Sequence, residues 1–222
     1  MLRCDLHIHT NFSPDGESSV EEIIAKAEEA GLDAIAITDH DTTEGAKYAL
    51  TLNTKIIIIP GIEISTRQGH LIALGIAETI PQGMDFIDTV KSARRLGAVL
   101  TLPHPYHKWR HGVALKVKSA IEAVDAVESF NSRYITGSAN KKAAKEARLF
   151  GKPCIGGSDA HNARFVGYGI TLIDAEPDVE SILQAIRDGK TRATGRMTPL
   201  RTYTHQSMKN TKRKITRRVH RR

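Results

Sequence analysis

The chain has 222 residues, 40% of them hydrophobic and 26% charged, a composition suited to one sizeable α/β core and not to a disordered or fibrous chain. No apolar run approaches the ~20 residues a membrane helix requires, and Arg3 and Asp5 interrupt the place where a signal peptide would need an apolar stretch. The formal net charge of +7 is local: of 32 basic residues nine lie at 201–222, where there is no acid, so 23 basic face 25 acidic residues in the body.

In chain order, Leu2-Arg3-Cys4-Asp5-Leu6-His7-Ile8-His9 nearly alternates polar with apolar residues and reads as a strand. Strict alternation would place Asp5, His7 and His9 on one face and Leu6 and Ile8 on the other. A loop over Thr10–Gly16 precedes a helix capped by Ser18 or Ser19, with Glu21 and Glu22 in its first turn and Gly31 as its stop. Strand Asp33–Thr38 ends in Asp39-His40-Asp41. A short helix from Glu44 and a strand Lys55–Ile59 follow. Ile62–Ser65 and His70–Leu74 then form a hairpin, and a four-residue loop puts Ser65 opposite His70.

The alternation continues through helix Met84–Leu96, strand Ala98–Leu102, Pro103-His104-Pro105, strand Val124–Glu128, helix Ser138–Phe150 and strand Pro153–Gly156. That strand runs into Gly157-Ser158-Asp159-Ala160-His161. Strand Gly169–Ile173, helix Asp178–Arg187 and strand Thr191–Thr194 complete the body. Strands alternating with helices predict a largely parallel sheet. Cys4 and Cys154, each in a predicted core strand, read as reduced thiols of a cytoplasmic protein.

The chemistry-bearing residues recur at the C-terminal ends of successive strands, where (β/α) barrels build their active sites. Six histidines, His7, His9, His40, His70, His104 and His161, and three carboxylates, Asp15, Glu63 and Asp159, occupy such places. Nine imidazole and carboxylate groups exceed the three protein ligands of one catalytic zinc. They suit two or three divalent ions such as zinc, manganese or iron. The charge left after three carboxylates neutralise part of three such ions suits a hydroxide and a dianionic phosphate.

Four spaced motifs, Asp5-Leu6-His7-Ile8-His9, Thr38-Asp39-His40, Leu102-Pro103-His104-Pro105 and Ser158-Asp159-Ala160-His161, together with Glu63 and His70, resemble those of the polymerase and histidinol phosphatase (PHP) family of metal-dependent phosphoesterases. The resemblance covers about residues 1–195. It implies an α/β fold, a distorted (β/α)7 TIM-like barrel with the metal site at the C-terminal ends of its strands, as residues 1–196, followed by a basic tail, 197–222. It further implies three ligand groups: His7, His9, Glu63 and Asp159; Asp15, His40 and His161; and Glu63, bridging, with His70 and His104.

The implied reaction is hydrolysis of a phosphate ester, a small monoester or nucleotide, by in-line attack of a metal-bound hydroxide. The alternatives are a 3′ or 5′ exonuclease on single-stranded nucleic acid and a non-catalytic PHP module. Asp5 and Asp39 are expected to orient ligand imidazoles, with a capping role as the alternative. Arg67, Arg133 and Arg164 follow site strands; Arg67 and Arg133 are read as phosphate clamps. Glu128 is read as structural, and His107 and His111 as surface residues or substrate contacts. The basic tail is a candidate contact for single-stranded nucleic acid, and a membrane partner is not expected.

Overall fold

The structure, a computed structural model, describes residues 1–107, 112–117, 119–134 and 136–199. The expectations placed on His111 and on the tail 201–222 lie outside the described residues.

Among the described residues, nine strands form one sheet. They are β1 (Leu2–Ile8), β2 (Ala34–Ile37), β3 (Ile57–Ser65), β4 (His70–Leu74), β5 (Val99–Leu102), β6 (Ala126–Asn131), β7 (Cys154–Gly157), β8 (Gly169–Ile173) and β9 (Thr191–Gly195). The helices are α1 (Val20–Glu29), α2 (Glu44–Leu50), α3 (Phe86–Arg95), α4 (Ala120–Ala123), α5 (Gly137–Leu149) and α6 (Val179–Arg187). The spatial order is β7-β6-β5-β4-β3-β2-β1-β8-β9. β1, β2 and β3 are parallel, as are β5, β6 and β7, while β4 and β8 run antiparallel to both their neighbours. The expected distorted barrel is therefore present, with one reversed strand, β4 or β8, on each side.

The ends of the sheet meet through side chains. The Thr171 hydroxyl accepts from Gly156 N at 2.9 Å and reaches Gly156 O at 2.8 Å, and Thr191 Oγ1 donates to Cys154 O at 3.0 Å. These contacts nearly close the barrel and satisfy edge groups that would otherwise be exposed. Inside, Cys4, Leu6, Ala34, Ala36, Ile59, Leu74, Val99 and Ala126 pack with Ile182, Ala185 and Ile186 of α6. The amphipathic α6 thus closes the end opposite the strand C-termini. Helices α1 and α2 cover β1 and β2 through Val20, Ile23, Ile35 and Ile37, and α3 to α5 cover β4 to β6.

Ser19 caps α1 with a reciprocal box: its hydroxyl accepts from Glu22 N at 3.3 Å, and Glu22 Oε2 accepts from Ser19 N at 3.0 Å. Two expectations change. Lys55–Ile59 and Ile62–Ser65 are one strand, because β3 pairs with β2 as far as Pro60 and with β4 from Gly61 onward. Proline is tolerated where the strand changes partner, since no ladder bond is asked of its missing N–H. Second, the register of β1 slips between Asp5 and Ile8. Leu6 consequently joins the barrel interior while Ile8 packs with α1, so the two do not share a face. No helix among the described residues is long and apolar enough to cross a membrane.

Candidate metal centre

The nine imidazoles and carboxylates selected from the sequence converge at one end of the barrel. Glu63, near the C-terminal end of β3, is fully buried and lies at their centre. Its Oε2 stands 3.1 Å from His7 Nε2, 3.1 Å from His9 Nε2 and 3.5 Å from His40 Nε2. Its Oε1 stands 2.9 Å from His70 Nδ1 and 3.0 Å from His104 Nε2. The hairpin explains the His70 approach: Ser65 pairs with His70, which brings residues 63 and 70 to one side of the ribbon.

Asp159 Oδ1 lies 3.8 Å from His7 Nε2 and 3.6 Å from His9 Nε2. Asp15 Oδ2 lies 2.9 Å from His161 Nε2 and 3.8 Å from His40 Nε2. Four sets of ligand atoms each fall within 4.8 Å of one another: His9, Asp15, His40 and His161; His7, His9 and Glu63; His7, His104 and Asp159; and His40, Glu63 and His70. These sets overlap the three implied by resemblance and differ in three memberships. His9 also reaches the Asp15 group, His104 also reaches His7 and Asp159, and His40 also reaches Glu63 and His70.

Backbone strain gathers at the same place. Among the described residues, the non-glycine residues with positive φ are Asp41 (58°), His104 (31°) and Asp159 (52°), at or beside strand ends that carry the cluster. Such conformations cost of order 1–3 kcal/mol each and persist where surroundings enforce them. Asp41 is held by Ser65 N donating to its Oδ1 at 2.7 Å and by its own N–H donating to Glu63 O.

Burial and charge set the protonation. Burial, helped by the neighbouring His161, lowers His9 to about 4. Burial also lowers His40 to about 4, against the pull of Glu63. Burial acts downward on His7, but Asp159, Glu63 and Glu128 together raise it well above the ordinary imidazole value. Burial opposes ionisation of Glu63, yet His40, His7 and His70 hold it well below the usual carboxylate range. The arrangement is an ionised carboxylate within a ring of imidazoles.

These residues fit a divalent cation on their own geometry. His7 Nδ1 lies 2.9 Å from Glu128 Oε1, and a carboxylate only accepts, so Nδ1 carries the proton. That leaves His7 Nε2 facing His9 Nε2 at 3.1 Å and Glu63 Oε2 at 3.1 Å, three ligand atoms around one point, where a divalent cation would take the place of the second proton that the surrounding carboxylates hold on His7. Adjacent ligands on an ion with bond lengths of about 2.0–2.2 Å would stand roughly 3.0 to 3.5 Å apart. The side chains of Asp15, His40 and His70, 30%, 16% and 14% exposed, mark where the centre opens to solvent.

Several expectations are corrected here. Asp5 contacts no imidazole ring: its Oδ1 accepts from Ser158 N at 2.9 Å and its Oδ2 from Gly167 N at 2.8 Å, fastening the Ser158–Gly167 segment to β1. Asp39 accepts from Thr10 N at 2.6 Å and Thr10 Oγ1 at 2.7 Å, anchoring the loop that carries Asp15. Burial raises both carboxyls to about 6, against those hydrogen bonds. The slip in β1 is the reason Asp5 turns away from His7.

Arg67, 67% exposed, extends to Asp85 Oδ2 at 3.3 Å, at the cap of α3 and not in the centre. Arg133 does enter it, with Nη1 3.2 Å from Asp159 Oδ1 and 2.6 Å from His161 Nδ1. Arg164 stacks on Phe165. His107 is buried and stacked on Tyr134, with ring centroids 5.1 Å apart, and is not a surface residue.

The residues that sequence reasoning undervalued are Glu128 and Asn131. Glu128 Oε2 accepts from His104 N at 2.7 Å and Asn131 Nδ2 at 2.9 Å, while Asn131 Nδ2 also donates to Asp159 Oδ2 at 3.1 Å. One carboxylate and one amide thus brace three members of the cluster. Their place at the end of a site strand was the available signal.

The chain is similar to several known proteins. Residues 137–191 match the family model PHP_C, described as PHP-associated. An uncharacterised protein of Methanocaldococcus jannaschii is 31% identical, over 63% of this chain and 87% of its own length. A 5′-3′ exoribonuclease of Salmonella typhimurium is 38% identical, over 37% of this chain and 31% of the enzyme. A Bacteroides vulgatus two-domain protein containing a predicted PHP-like metal-dependent phosphoesterase superposes with a TM-score of 0.75. That match covers 88% of this chain and 65% of the other at 22% identity, a likeness of fold.

Proposed function

The chain belongs to the PHP family of metal-dependent phosphoesterases, and we propose that it hydrolyses a small phosphate monoester or nucleotide at the centre built around Glu63. The observation that carries this reading is the division of the Glu63 carboxylate. One oxygen faces His7, His9 and His40 and the other faces His70 and His104, which suits a ligand bridging two ions. Asp159 and the group of Asp15, His40 and His161 complete a site for two or three ions of the zinc, manganese or iron kind.

Bound divalent ions supply Lewis acidity toward phosphoryl oxygens and acidify water into a nucleophile at neutral pH. The chain's own residues do the rest. Glu128 holds the His7 proton on Nδ1 and keeps Nε2 as the ligand atom. Asn131 steadies Glu128 and Asp159 together. Asp39 and Asp5 fix the loops that present Asp15 and Asp159 to the centre. Arg133, 13% exposed, is the guanidinium placed to meet a phosphate oxygen.

A second reading, exonucleolytic cleavage of single-stranded nucleic acid, is favoured by the similarity to the Salmonella typhimurium exoribonuclease. The test is a panel of phosphomonoesters, mononucleotides and oligonucleotides, run on chelated protein with manganese, zinc or iron restored in turn. Turnover that vanishes on chelation and returns with metal is the expected result. No hydrolysis with any metal would overturn the assignment.

A further inference from the structure

A cavity of about 550 Å³ opens on the outside of the barrel, between α1, the turn Ala163–Phe165, β8 and β9. Its charged lining residues are Arg3, Lys26, Arg164 and Arg196, with Tyr168 among them and no carboxylate. Four cations converging on one groove stand out on a body that holds slightly more acidic than basic residues. Lys26 is shared with Glu29 at 2.8 Å. The three guanidinium groups have no carboxylate partner among the described residues: Arg3 Nε donates to Gly31 O while its backbone N–H donates to Asp33 Oδ2, Arg164 lies over the Phe165 ring at 4.5 Å, and Arg196 over the Tyr168 ring at 3.9 Å. A guanidinium stacked by its face keeps its in-plane N–H donors available to phosphate.

The groove follows the strand direction. Arg196 N bonds Tyr168 O at one end, and Arg3 pairs with Leu172 at the other. Four strand residues separate those levels, about 13 Å at ~3.3 Å per residue. Its Arg196 end lies toward the strand ends that carry the metal centre, since β8 runs antiparallel to β1. Arg164 follows His161 by three positions, and Thr198 N, two residues beyond Arg196, donates to Ser132 O beside Arg133.

We infer that this groove binds a phosphodiester chain, a strand of single-stranded nucleic acid leading away from the metal centre. The inference rests on the phosphoesterase reading only for the direction of that strand. Cations beside the Tyr168 ring suit phosphates and bases, since bases stack on rings and guanidinium planes.

The test uses the full chain, chelated so that no strand is cut, and a fluorescent oligothymidylate measured by anisotropy across a salt series. The double substitution Arg164→Gln, Arg196→Gln is expected to weaken binding roughly ten-fold and to reduce the salt slope by about 1.4, ~0.7 for each phosphate left without its arginine. Arg164→Lys with Arg196→Lys should recover most of the affinity. If the double glutamine variant does not fold, Arg196→Gln alone should give half the slope change. Wild-type affinity and slope in the glutamine variants would overturn the inference, and so would equal displacement by polyglutamate, which would make an acidic protein the occupant. Failure of wild-type turnover on small esters would instead overturn the catalytic reading, because groove binding is read without metal.

Discussion

Glu128 Oε1 accepts from His7 Nδ1 at 2.9 Å, across a barrel wall in which the two residues are 121 positions apart in the chain. This contact decides which nitrogen of His7 faces the centre. Glu128→Ala should therefore lower metal occupancy and turnover by about 10–100-fold, the usual effect of removing a group that orients a ligand imidazole. Glu128→Gln, which can still accept a hydrogen bond, should recover part of the loss. Metal content after dialysis, measured beside kcat, checks both. Unchanged occupancy in the alanine variant would refute the orienting role.

Gly157 is the residue that lets this contact form. A Cβ there would lie 2.5 Å from His7 Cβ and 2.6 Å from Glu128 Oε1, so no side chain fits without parting them. Gly157→Ala is expected to destabilise the chain by about 1–3 kcal/mol, as overpacking of a tight interior does, and to reduce bound metal. Thermal denaturation and elemental analysis of the same preparation read the two effects.

The two arginines expected to clamp phosphate should now separate. Arg133→Ala removes a guanidinium from the centre and should cost about 1.5–3 kcal/mol in kcat/KM, the range for a hydrogen bond to a charged group. Arg67→Ala, at an exposed pair with Asp85, should stay within about ±0.5 kcal/mol in stability and leave kinetics as they are. Equal kinetic losses in both variants would contradict the geometry.

Cys4 gives a pH prediction free of the metal centre. Burial, with Asp33 and Asp5 adding to it, pushes its thiol from 9.0 up to about 12. The unfolded chain then ionises first as pH rises, so the contribution to stability is complete below pH 9 and is lost progressively between about 9 and 12. Denaturant melts across that window should fall less steeply for Cys4→Ala than for wild type. Native Cys4 should also resist alkylation near neutral pH, where Cys154, only partly buried, reacts first.

Much of this protein is legible along the chain because its signals are local. Alternation marks the strands, Ser19 with Glu22 marks a helix start, and the hairpin register follows from the length of the loop between Ser65 and His70. The histidines and carboxylates at successive strand ends could be collected from the sequence because barrel topology carries all such ends to one side. Contacts across the barrel are another matter. The β1 slip that turns Asp5 from His7, the guanidinium of Arg67 drawn to Asp85, and the Glu128 brace on His7 depend on which side chains meet when distant strands pack. The basic groove is of the same kind: Arg3, Lys26, Arg164 and Arg196 are dispersed in sequence, and only the pairing of β8 with β1 and β9 gathers them. Residue types and spacing set which groups reach the mouth of the barrel; close packing sets which of them touch, and therefore which hold, orient or bind.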